Sequence, residues 1–160
     1  MAKYHMNKSE REIKDRAEIS RLLKRGKYAT IALCRDNEPY IVTLSCGYDE
    51  ETESLYFHSA LKGLKIDFLK SNPAACATII EDRGYVKNDC RHEYSSLVIF
   101  GKMEIIEGLE DKKRALEILL KQLEDDPGAM KERFIKNEAQ YGSFCMLKLK
   151  VEHLTGKSGS

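Results

Sequence analysis

The chain has 160 residues, 27 of them basic and 26 acidic, for a formal charge of +1, which excludes a nucleic-acid or membrane-surface protein held by bulk charge. With 42% hydrophobic residues, 33% charged residues and no Trp, the composition is that of one globular domain over residues 1–160. A chain of this size buries about 68–70% of its unfolded surface without help from metals or disulfides, and no apolar run is long enough for a membrane span.

Residues 1–12 are polar and lack the apolar core of a secretory signal. The five cysteines (Cys34, Cys46, Cys76, Cys90 and Cys145) form no C-x-x-C pair, so a cytoplasmic, reducing setting is expected. Residues 1–9 and 157–160 are expected to be flexible, the latter from the Gly/Ser composition of 156–160. Asp15 and Glu18 have the spacing of a capping box, and Ala17, Ile19, Leu22 and Leu23 supply the apolar stripe of a first helix that stops at Gly26. Segments 28–34, 40–48 and 55–58 are rich in β-branched and aromatic residues and are separated by polar turns, which predicts a three-stranded meander. A helix over 61–70, stopped at Asn72-Pro73, leads to strands over 74–81 and 96–106. A helix over 110–123 buries Ala115, Leu116, Leu119, Leu120 and Leu123, a weak helical segment covers 129–138, and a sixth strand covers 144–151. Three leading strands without crossover helices exclude a doubly wound parallel sheet. A mainly β fold, a closed or partly open antiparallel barrel with peripheral helices, fits the order.

The stretch with most chemistry is 55–69. Its strand ends in His58-Ser59, and a helix starting at once would aim free N–H groups at the spot where Ser59 also donates. On that helix Lys62 and Lys65 fall on one face, completing a phosphate cradle. Two lysines on a solvated helix face would look the same, and His58 reads equally as a histidine satisfied by a neighbour. Cys90 and His92 lack a second Cys/His pair at finger-like spacing, so no metal site is expected; a Cys90 nucleophile beside His92 is poorly supported by adjacency alone. Ser95 and Ser96 read as binding donors or as plain strand-start residues. The tyrosines, Tyr28, Tyr40, Tyr48, Tyr56, Tyr85, Tyr94 and Tyr141 among them, could line an aromatic pocket or stand as ordinary strand residues. No dinucleotide, P-loop or G-x-S-x-G motif is present, and no basic stripe interleaved with aromatics, so no nucleic-acid partner is expected.

Tyr56-Phe57-His58-Ser59-Ala60, then Lys62-Gly63-x-Lys65-x-Asp67-x-Leu69, Asn72-Pro73 and Tyr94-Ser95-Ser96-Leu97-Val98-Ile99-Phe100-Gly101 resemble the pyridoxamine 5'-phosphate oxidase-like FMN-binding split-barrel proteins. Within them the chain is similar to the flavin-binding group related to nitroimidazole-resistance proteins, over about residues 10 to 157. The resemblance implies a six-stranded antiparallel split β-barrel that forms a homodimer with FMN at the subunit interface. It implies that Ile41, Val42, Thr43 and Leu44 run along the isoalloxazine ring, that His58 and Ser59 follow the ribityl chain to a phosphate held by Lys62 and Lys65, and that Ser95 and Ser96 approach from the partner chain. Leu64 stands where the oxidase has the Arg of an Arg-Lys pair, and the oxidase's substrate-phosphate arginines have no match, so vitamin B6 oxidation is not expected. The expected activity is reduction of a small electrophile, with NADH, NADPH or another reductant as electron source and His58 as the one candidate proton donor. The alternatives are a flavin carrier without turnover, a deazaflavin (F420) or FAD in the same site, and a haem protein with His58 or His92 as axial ligand.

Overall fold

The computed structural model describes residues 6–159. Six antiparallel strands, β1 (Tyr28–Arg35), β2 (Glu38–Asp49), β3 (Ser54–Ser59), β4 (Ala74–Val86), β5 (Arg91–Ile106) and β6 (Cys145–Gly159), close into a barrel in the order β1-β2-β3-β6-β5-β4. Four helices surround it: α1 (Arg16–Arg25), α2 (Leu64–Ser71), α3 (Leu109–Leu123) and α4 (Pro127–Phe134). Alternation of side chains along each strand sends Ile31, Phe57, Leu97, Ile99, Leu147 and Leu149 into one fully buried core. A second cluster, Tyr56, Ala115, Leu116, Leu119, Tyr141, Phe144 and Met146, seats α3 against the barrel. None of the helices among the described residues is long and apolar enough to cross a membrane.

Two glycines permit the closest approaches. A Cβ on Gly47 would lie 2.7 Å from Leu119 Cα, so α3 rests directly on the β2 backbone. A Cβ on Gly101 would lie 1.8 Å from the Lys150 carbonyl oxygen, where the β5–β6 ladder shifts register. Gln122 of α3 then ties three elements: it accepts from the Tyr48 N–H at 2.8 Å and donates to the Leu23 and Gly26 carbonyls at 3.0 and 2.5 Å.

Several expectations need correction. β4 and β5 extend past 81 and before 96 into a long hairpin arm, because exposed charged residues pair across strands as well as apolar ones. The end expected to fray is strand: Lys157, Ser158 and Gly159 pair with Ser96, Ser95 and Tyr94, and Gly156 and Gly159 are buried. Backbone pairing, which composition does not report, holds that segment; residues 1–5 and 160 lie outside the described residues. At the start of α1, Asp15 caps the Ala17 N–H at 2.9 Å, but Glu18 turns away to Arg21, so the reciprocal half of the capping box is replaced by an ion pair. Segment 129–138 divides into α4 and a 3₁₀ turn, Glu138–Ser143.

Candidate functional site

The barrel opens between β2 and β3. β2 pairs with β1 along its whole length but with β3 only from Cys46 to Asp49, and the far end of β3, His58 and Ser59, pairs with β6 alone. The Cys46 N–H donates to the Lys27 carbonyl at 3.1 Å, and alternation along an antiparallel ladder therefore turns the main-chain groups of Ile41, Thr43 and Ser45 away from β1, toward the side that β3 has left. These amides and carbonyls form an open strand edge. Helix α2 borders the gap, with Tyr40 and Phe68 rings 5.2 Å apart and the Arg35 guanidinium 4.4 Å above the Phe68 ring.

The four β2 residues implied by the resemblance divide by the two-residue period. Val42 and Leu44 pack on the core, while Ile41, 66% exposed, and Thr43 face outward. Outward residues of five strands make an uncharged face. Thr43, Thr30, Thr78, Val98 and Thr155 stand in one row and Ile41, Ala32, Cys76, Phe100 and His153 in the next.

The phosphate cradle takes a different form from the expected one. Helix α2 begins at Leu64, not at 61, after an exposed loop over 60–63 in which Gly63 has φ +135°. Lys62 therefore lies on the loop and Lys65 in the first turn, so the two do not share a helix face. Glycine at 63 explains the later start, since a φ in that region terminates a helical run that spacing alone would continue. The Ile66 and Asp67 N–H groups both reach the Gly63 carbonyl, which leaves the amides of Leu64 and Lys65 at the open end of the helix. Neither lysine forms an ion pair with a described residue. Asp67 is the acidic residue of the same turn. Ser59 is buried and donates to the Ala60 carbonyl at 3.1 Å, so its hydroxyl is already engaged.

His58 sits where these parts meet. The residue is exposed on one side, its ring lies 5.0 Å from that of Phe144, and partial desolvation first, then the Lys65 ammonium, holds its pKa below the ordinary 6.5. The neutral imidazole is the form present at pH 7. Lys65 is thus close enough to act on His58, which places the cation at the end of β3.

Other predicted residues do not converge. Ser95 is buried and accepts from Arg83 at 3.0 Å, within a network in which Arg83 and Arg21 also bind Glu81 and hold its carboxyl down at about 2, the Arg21 hydrogen bond being the main cause. Ser96 points to the other side of β5, so the two hydroxyls cannot meet one ligand from one face. His92 binds Asp82 at 2.7 Å on the hairpin arm, and Cys90 occupies its exposed turn with φ +45°. No group of three metal-ligating side chains forms among the described residues. Tyr28 and Tyr85 are exposed whereas Tyr56 and Tyr141 are buried, so the tyrosines line no common pocket.

What the residue pattern missed is a cavity of about 370 Å³ beside His58, walled by α3, α4 and the 3₁₀ turn, with Leu116, Leu120, Met130, Phe134 and Phe144 among its lining. Helical spacing marked the α3 leucines as core. Nothing in it signalled that the opposing segment leaves space.

Residues 15–158 match the family model described as pyridoxamine 5'-phosphate oxidase. The chain belongs to the pyridoxamine 5'-phosphate oxidase family. Members of this split-barrel family bind flavins. A candidate 5-nitroimidazole antibiotic resistance protein from Bacteroides thetaiotaomicron has a TM-score of 0.78 and 26% identity, covering 92% of this chain and 86% of its own. The FAD and haem binding protein of Mycobacterium smegmatis shares the fold, with a TM-score of 0.77 at 19% identity over 94% of this chain and 74% of that one. The uncharacterized protein RA0666 of Rhizobium meliloti (strain 1021) is 26% identical over 153 residues, 91% of this chain and 93% of the relative.

Proposed function

We propose that the protein is a homodimeric FMN-binding oxidoreductase that reduces a small electrophile, with the flavin seated along the open edge of β2. The observation that carries this reading is the gap between β2 and β3, where main-chain groups of Ile41, Thr43 and Ser45 left unpaired by β3 stand beside a face free of Asp, Glu, Lys and Arg, with Lys62 on the following loop and Lys65 in the first turn of α2, neither ion-paired to a described residue. A flat heteroaromatic ring with a polar rim and a dianionic tail is complementary to those three parts. The strand-edge amides and carbonyls meet the rim, the outward faces of Ile41 and Thr43 exclude water from the ring, and Lys62, Lys65 and the opening amides of α2 neutralise the phosphate. When bound, the flavin supplies the electron transfer. His58, neutral at pH 7, offers one donor and one acceptor beside that position.

The uncharged outer face of β1, β2, β4, β5 and β6 supports a second copy as the flavin's other wall. Substituting both Lys62→Ala and Lys65→Ala removes two charge-assisted contacts worth about 1.5–3 kcal/mol each, so FMN affinity should fall at least about a hundredfold while the apo protein melts as before. A fluorescence titration with FMN checks this, and undiminished affinity would place the anchor elsewhere. The spectrum of the purified protein and mass spectrometry of its extracted chromophore test the cofactor itself. A colourless protein that takes up no FMN rejects the reading; flavin reduced by neither NADH nor NADPH favours a carrier, and a Soret band favours haem.

A further inference from the structure

The 370 Å³ cavity beside His58 is built within one chain, and of the residues assigned to the flavin only His58 is among its described lining. Its cause is geometric. Helix α3 commits Ala115, Leu116 and Leu119 to the barrel, and α4 opposes it across the gap with no fully buried side chain of its own. Phe134 of α4 stays 60% exposed, and α4 is tied down at its start by Asp126, whose carboxylate caps the Ala129 N–H at 2.9 Å. The α3–α4 pair thus frames an apolar space that neither helix fills.

The polar groups on its wall are nearly all occupied. Lys131 faces Glu117 at 3.5 Å, the Ser143 hydroxyl donates to the Gln140 carbonyl at 2.7 Å, and the Gln140 side-chain oxygen accepts from the Lys136 and Asn137 main chains. His58 has no hydrogen bond to another described residue, only ring contact with Phe144. An apolar chamber of this size with one unengaged imidazole is the usual make-up of a small-molecule site. A dry apolar cavity of about 150 Å³ holds one benzene, so this one has room for a two-ring molecule.

We propose that this cavity binds an uncharged, largely apolar aromatic molecule of about two rings, carrying one hydrogen-bonding substituent that His58 orients. Carboxylates and phosphates are poorly matched, because Lys131, the one cation among the described lining residues, is paired with Glu117. The site goes beyond the flavin reading and shares His58 with it.

The test uses the full-length protein and the neutral fluorophore N-phenyl-1-naphthylamine, with naphthalene and 2-naphthol as competitors. The expected result is saturable binding of one probe per chain, stronger competition by 2-naphthol than by naphthalene, and loss of that preference in His58→Phe. Filling the cavity by Met130→Trp or Leu120→Trp should weaken the probe at least tenfold. Met130 lies on α4, away from the core, so that variant keeps its fold if Leu120→Trp does not. Undiminished probe binding in Met130→Trp with a wild-type melting temperature overturns the site, and equal competition by the two naphthalenes overturns the role of His58. An FMN titration of the same samples separates the readings: failure to take up flavin leaves the cavity result standing, and the reverse also holds.

Discussion

His58 takes its character from its surroundings at the end of β3. The residue keeps an exposed side, and partial desolvation first, then like-charge repulsion from Lys65, lowers its pKa from 6.5. Since the folded value lies below the unfolded one, His58 supports the fold above pH 6.5, and that support is lost as pH falls through the depressed value. An NMR titration of the ring should find a midpoint below 6.5, raised part way by Lys65→Gln because only the secondary cause is removed. A phosphate dianion on Lys65 would offset the same repulsion, so FMN should also raise the midpoint. An unchanged midpoint in both samples would separate Lys65 from His58. The His58-Ser59 motif was legible in the sequence, but the engagement of Ser59 with Ala60 was not, because a buried hydroxyl chooses its acceptor from whatever the local turn presents.

Helix α3 is held to β2 by contact at atomic range. Its backbone rests on Gly47, and Gln122 saturates the carbonyls at the end of α1 together with the Tyr48 amide. Gly47→Ala would drive a methyl into backbone atoms that cannot rotate aside, and such overpacking costs about 1–3 kcal/mol. Thermal unfolding should therefore shift down by several degrees, at about 2–4 °C per kcal/mol for a chain of this length, while Gly142→Ala, where nothing lies within 4 Å, should change little. Strand existence and order were readable from alternation and turn residues. Helix α2 was misplaced by three residues because the 61–70 pattern contains a glycine whose φ of +135° only the folded chain specifies.

At the scale of the molecule, two adjacent rows of the outer face over five strands carry no Asp, Glu, Lys or Arg, and Ile41 is 66% exposed at their β2 end. A barrel removes sheet edges by closure but does not cover its outer face. Threonine hydroxyls stand there beside Ile41, Val98 and Phe100, a surface without full charges that self-association would cover with a symmetric, self-complementary contact. Sedimentation equilibrium should give twice the 18.3 kDa chain mass. Ile41→Glu with Val98→Glu should return it to a single chain, since Val98→Glu places a charge within that face and Ile41→Glu one at its β2 edge. Wild-type protein that sediments as one chain at micromolar concentration would remove the partner wall from the proposed flavin site.

Alternation, turn residues and the 55–69 segment by themselves determined that this is an antiparallel β-barrel with helices outside it, and that a strand end meets a helix beside two lysines. Those features are encoded by neighbours within a few positions, where steric preference and hydrophobic period act directly. Only the tertiary structure decided that β2 meets β3 no earlier than Cys46, that the Ser95 hydroxyl is committed to Arg83, that 156–159 is strand, and that α3 and α4 leave a space between them. Each of these depends on which distant residue arrives next to it, and that is set when the whole barrel closes.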